Sequence, residues 1–181
     1  MLVKLRFLLP SKISVKTHMM APNSVKAKTD VNEHDCFGQT VLHLAMNGGH
    51  AKVVEILAAN VNLDLQDVMG ATPLHLGATN GHAKSVQILV DAGADIERED
   101  QDGHTALHYA ALWGQDGVVQ VLLKAKANID KQDVWKRTPM DLACLSHHHK
   151  VITLLGEAGA NGYMQIEGEM LLYCWGERGC R

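Results

Sequence analysis

Apolar and polar positions fall into a two-part pattern along the middle of the chain. Leu74, Leu76 and Ala78 form a short apolar stretch that opens at Thr72-Pro73 and closes at Asn80-Gly81-His82. Val86, Ile88, Leu89 and Val90 follow and are closed by Ala92-Gly93-Ala94-Asp95. A hydroxyl acceptor ahead of a proline with fixed φ caps and opens a helix. A glycine free to take positive φ ends one. The pattern therefore predicts two short helices separated by a sharp break, then a loop, then a tight turn at Asp100-Gln-Asp-Gly103.

The pattern recurs. Gly38-Gln-Thr40-Val41-Leu42-His43-Leu44-Ala45 returns as Gly70-Ala-Thr72-Pro73-Leu74-His75-Leu76 and as Gly103-His-Thr105-Ala106-Leu107-His108-Tyr109-Ala110. A last copy reads Lys136-Arg-Thr138-Pro139-Met140-Asp141-Leu142-Ala143. Each follows an aspartate, and Asp35, Asp67, Asp100 and Asp133 lie 32, 33 and 33 residues apart. A fixed period of this length is the signature of a stacked array, in which no unit buries its apolar face alone.

The 33-residue period and the Thr-Pro-Leu-His core resemble the ankyrin repeat. The resemblance implies an all-α fold: a solenoid of stacked helix–turn–helix units with projecting hairpin-like loops. It also implies that His43, His75 and His108, which look catalytic only in isolation, hydrogen-bond the loops of their own and neighbouring units. Four units are expected at 35–66, 67–99, 100–132 and 133–161, with Leu42, Leu74, Leu107, Val54, Leu89 and Leu122 stacking between them. Unit four diverges: Lys136 replaces the turn glycine, Asp141 the helix histidine and His147 the glycine between the helices. Atypical terminal units are usual in arrays. Lys26–Asn32 parallels Lys124–Asp130, the loop leaving a second helix, and residues 26–34 read as the remnant of a preceding unit. Such a remnant fits a truncated form of a longer array.

The ends depart from the pattern. Residues 1–25 carry lysines, an arginine and serines, and the first acidic residue is Asp30. They read as a partly disordered leader whose Leu5, Phe7, Leu8 and Leu9 cover the open face of unit one; a mitochondrial targeting segment is the alternative. Residues 162–181 are a non-repeat tail, and the apolar run between Met164 and Trp175 is expected to fold as a short helix over the end of unit four.

Composition narrows the function. A net charge of -3 and a pI near 6.4 argue against a nucleic-acid binder. No apolar run approaches transmembrane length. The four cysteines form no CxxC pair, which favours a reducing compartment over a disulfide scaffold; cytoplasmic residence, with the nucleus as a second location, is expected. His147-His148-His149 is tempting as a metal cluster, but adjacent residues point in different directions, and His148 stands where earlier units carry His50 and His82. Asp100, Asp102, Asp130 and Asp133 lack a calcium-loop spacing and read as turn residues. There is no catalytic triad order, phosphate loop or HExxH helix. No catalytic residue, cofactor or metal is expected, nor a nucleic-acid or membrane partner.

In ankyrin arrays partners meet the hairpin tips and the exposed ends of the first helices. By that resemblance the contact residues are Phe37, Met69, His104, Leu112, Trp113, Trp135 and Arg137, with Val68 and Val134 also at the tips. Large apolar side chains at turns need a reason, and tryptophan is a favoured interface residue. The expected function is a monomeric, non-enzymatic adaptor or scaffold for a protein partner. The alternatives are a mitochondrially targeted subunit and a fragment of a larger multidomain signalling protein.

Overall fold

A computed structural model describes residues 31–160 and the backbone of residues 162–166 and 169–173. The leader and most of the remnant segment lie outside the described residues. Four helix pairs follow in order: α1 (Val41–Asn47) with α2 (Ala51–Ala58), α3 (Pro73–Thr79) with α4 (Ala83–Asp91), α5 (Ala106–Leu112) with α6 (Asp116–Lys124), and α7 (Pro139–Leu145) with α8 (His149–Glu157). The odd-numbered helices stack on one another as one layer, and the even-numbered ones as a second. The predicted solenoid of helix pairs is the architecture observed.

Each first helix is only seven residues long. Isolated helices that short are marginal in water, so packing must hold them. Leu42, Leu74 and Leu107 in the first layer and Val54, Leu89 and Leu122 in the second are all essentially inaccessible. They form one continuous apolar core with Met46, Met140, Val151 and Leu155.

Extended threonines, Thr40, Thr72, Thr105 and Thr138, stand at the N-caps of the first helices. In the first three units the histidine at the third helical position completes the cap. His75 Nδ1 accepts from the Thr72 amide at 3.0 Å and from its hydroxyl at 2.8 Å. That fixes the remaining proton on Nε2, which donates to the His104 carbonyl of the next unit at 3.0 Å. His43 does the same toward the Ala71 carbonyl at 3.1 Å, and His108 toward the Arg137 carbonyl at 3.3 Å. The framework role expected of these histidines is the one they have. In unit four Asp141 still closes the cap, accepting from the Thr138 amide at 2.8 Å and hydroxyl at 2.9 Å. A carboxylate lacks the ring N–H by which the three histidines reach the next unit.

A second ladder runs through the loops. Asp64 accepts from the Asp95 amide at 2.9 Å, and Glu97 from the Asn128 amide at 2.7 Å. Asn32 accepts from the Asn62 amide at 3.0 Å in the same register. Residue 32 thus occupies the loop position of a unit ahead of α1.

The tail differs from expectation. In place of a helix between 164 and 175, Gly162–Ile166 (β1) and Glu169–Tyr173 (β2) pair antiparallel, with Ile166 opposite Glu169 and Gly162 opposite Tyr173. β1 runs beside α7, so a hairpin borders the end of the array. The sequence carried a signal for it: Glu167-Gly168 separates two five-residue runs by two residues, the spacing of a tight hairpin.

Candidate partner-binding surface

Each hairpin tip is built by its aspartate. Asp35 Oδ1 accepts from the amides of Phe37 and Gln39 at 2.8 and 2.9 Å. Asp67 does so from Met69 and Ala71, Asp100 from Asp102 and His104, and Asp133 from Trp135 and Arg137, all between 2.8 and 2.9 Å. Neighbouring tips are then tied together. The amide of Val68 donates to the Phe37 carbonyl at 3.0 Å, that of Gln101 to Met69 at 3.3 Å and that of Val134 to Asp102 at 3.0 Å. Side chains one and two positions after each aspartate are therefore held in one row.

Along that row Phe37, Val68, Met69, Val134 and Trp135 are exposed, Phe37 at 49% and Trp135 at 53%. The row is apolar at both ends and polar at unit three, where Gln101 and Asp102 stand. Trp135 is steadied from one side. The Arg137 guanidinium lies 4.5 Å from its ring centre while Nε and Nη2 each reach Asp133 Oδ2 at 2.7 Å. Burial pushes the Asp133 carboxyl up, but the Arg137 hydrogen bonds outweigh it and hold it below its usual value.

The other expected contact residues are placed unequally. Leu112 and Trp113 are half-buried, and Trp113 packs against the core. Arg137 is half-buried at the base of Trp135. His104 is 4% exposed, so it does not lie on the surface expected of it. It turns inward because Asp100 and Asp133 flank it, with Nδ1 3.7 Å from Asp100 Oδ2 and Nε2 3.2 Å from Asp133 Oδ2. Leu145, 54% exposed, stands at a first-helix end where contact is expected, whereas Leu44, equally exposed on a first helix, was passed over in the sequence reading. Leu44 could have been found from the register, since it is the counterpart of Leu76 and Tyr109. Val53 and Ile56 are exposed for another reason: α2 has no earlier helix beside it among the described residues.

The tempting histidines do not converge. His148 Nε2 donates to the Leu112 carbonyl at 3.1 Å, as His82 does to Asn47 at 3.1 Å, while His147 and His149 are exposed. Cys144 is buried, and burial pushes its thiol up, away from reactivity. Among the described residues no helix is long and apolar enough to cross a membrane.

A family model described as ankyrin repeats (three copies) matches residues 13–100 and 94–165. No curated protein matches the chain.

Proposed function

This chain belongs to the ankyrin-repeat family, and from that premise we propose that it is a non-enzymatic adaptor that captures a protein partner along its row of hairpin tips. Members of the family are in general protein-interaction modules and typically not enzymes. The observation that carries the reading is the exposure of Phe37, Val68, Met69, Val134 and Trp135 at turn positions held in line by tip-to-tip hydrogen bonds. About half of the surface of Phe37 and Trp135 stays in water in the free protein, where it gains no burial energy. They are the type of side chain that dominates interface energetics. The fixed backbone beneath them reduces the ordering cost of association. Leu44 and Leu145 add exposed apolar side chains on the first helices.

The test compares capture from cell extract by the wild type, by a Phe37→Ser/Met69→Ser/Trp135→Ala variant, and by a Glu55→Ala/Lys84→Ala control altered on the second-helix layer. The proposal expects the same helical signal in all three and at least tenfold weaker capture by the tip variant alone, about 1.4 kcal/mol. Equal capture by the tip variant, or loss in the control, overturns it.

A further inference from the structure

Unit three departs from its neighbours at two positions of the tip. Two residues after the framework aspartate, the other units carry Phe37, Met69 and Trp135, and this one carries Asp102. Four residues after it, the others carry Gln39, Ala71 and Arg137, and this one carries His104. Asp100, Asp102 and His104 consequently bring three donor atoms to within 4.8 Å of one another.

Acidic turns are common without a ligand, and the histidine is what sets this one apart. His104 is buried, and its Nδ1 has no hydrogen-bond partner among the described residues. A buried orphan of this kind is costly, so the site calls for an occupant. The other nitrogen explains the tautomer. Nε2 lies 3.2 Å from the Asp133 carboxylate. The Arg137 Nη2 is 3.4 Å from the same nitrogen but is already bound to Asp133 at 2.7 Å. The shorter contact to the anion assigns a proton to Nε2, and Nδ1 faces the Asp100 carboxylate, where a bound cation takes the place of a proton. A carboxylate on the far nitrogen is the arrangement that orients a metal-binding imidazole and raises its basicity. Asp100 is prepared in the same way. Its Oδ1 holds the turn amides, and its Oδ2 accepts the Tyr109 hydroxyl at 2.6 Å and keeps a second lone pair.

We propose that the third hairpin is a site for a zinc-class divalent cation, held by His104 Nδ1, Asp100 Oδ2 and the Asp102 carboxylate. The 3.7 Å between the first two atoms is too long for a hydrogen bond. It is the separation of two ligands each about 2.1 Å from one zinc, at an angle of about 120°. A half-exposed Asp102 carboxylate closes the remaining gap by rotating about its own side chain. Three protein donors leave a fourth tetrahedral position to water. One imidazole with two carboxylates favours zinc or its neighbours over calcium and magnesium, which prefer oxygen alone. Because His104 touches Asp133 and its ring lies 5.8 Å from that of Trp135, the ion stiffens the row where it passes from unit three to unit four.

The test titrates the full chain, stripped with chelator, with zinc chloride against a chromophoric zinc indicator. Wild type is compared with Asp102→Asn, His104→Gln and a His147→Gln/His149→Gln control. One zinc per chain is expected, weakened at least tenfold by each of the first two changes and untouched by the third. If His104→Gln misfolds, Asp102→Asn decides alone, because its side chain reaches the surface. A zinc-dependent shift of the His104 Nδ1 signal by nitrogen NMR is expected in the wild type. No uptake at about 100 µM zinc, roughly tenfold below a millimolar dissociation constant, uptake unchanged by Asp102→Asn, or uptake lost in the control overturns the proposal.

Discussion

At the residue scale, left-handed backbone positions show how neighbours dictate sequence. Gly38, Gly70 and Gly103 all have φ between 75° and 78°, and Lys136 holds the matching place at 63°. A Cβ at Gly38, Gly70 or Gly103 would meet the backbone amide of the next hairpin at 3.0, 2.8 and 3.2 Å. Lys136 has no such hairpin after it among the described residues, so only the φ strain remains. The same contrast holds between the helices, where a Cβ at Gly49, Gly81 or Gly114 would strike His82, Gln115 or His148 of the following unit, while His147 stands at φ 59° at the end. Lysine and histidine enter glycine positions where no following unit presses on them; Lys126 at φ 63° does so inside the stack, at the counterpart of Gly93, where a Cβ meets nothing. Lys136→Gly is therefore expected to raise the urea-unfolding free energy by about 0.5–1 kcal/mol. Gly70→Ala, which adds strain and collision together, is expected to lower it by about 2 kcal/mol or more. Equal and small effects at the two sites would contradict this account. The sequence marked Lys136 and His147 as odd, but the reason lay in contacts from the next unit, which no single repeat displays.

At the element scale, the cap histidines make stability depend on pH. Burial is the main cause that lowers His43, His75 and His108 below the ordinary value, and His108 is lowered to about 4, with the nearby His104 adding to the effect. The unfolded chain takes up protons near pH 6.5 and the folded chain does not, so protons favour unfolding. The stabilisation is complete above about pH 6.5 and is lost as the pH falls from there toward 4; His108 alone accounts for up to about 3 kcal/mol. Asp100 extends the loss. Burial would raise its carboxyl, but the His104 ring, the Tyr109 hydroxyl and the His104 amide hold it at about 2; its contribution is present above about pH 4 and goes as the pH falls to 2. Urea midpoints measured between pH 7.5 and 4 are expected to decline steadily below 6.5, and a flat profile down to 4 would contradict the assignment. The tail is the element for which the sequence reading expected a helix and the structure has a hairpin. Its apolar residues suited a helix, and the two-residue break at Glu167-Gly168 decided for a hairpin whose first strand runs beside α7. Removing residues 162–181 is expected to lower the melting temperature by several degrees, because it uncovers α7; an unchanged melting curve would mean that the hairpin contributes nothing there.

At the scale of the whole molecule, periodicity made most of the fold legible, since one period determines helix order, layer membership and the stacking leucines. The binding face was legible in part. Register located Phe37, Met69 and Trp135 at the tips, and they are exposed. It misjudged His104, because the pull of Asp100 and Asp133 on that ring depends on the stacking of two hairpins. It also passed over Leu44, whose exposure depends on what lies beside it. The resulting molecule is a rigid row of tips, apolar at its two ends, carried on two layers of helices. The most direct measurement places a photoreactive amino acid at position 68 or 134 on the tips, or at position 55 or 84 on the second-helix layer, and maps the proteins crosslinked in cell extract. The account predicts a shared adduct from 68 and 134 that is absent from 55 and 84. Adducts from 55 and 84 alone would contradict it.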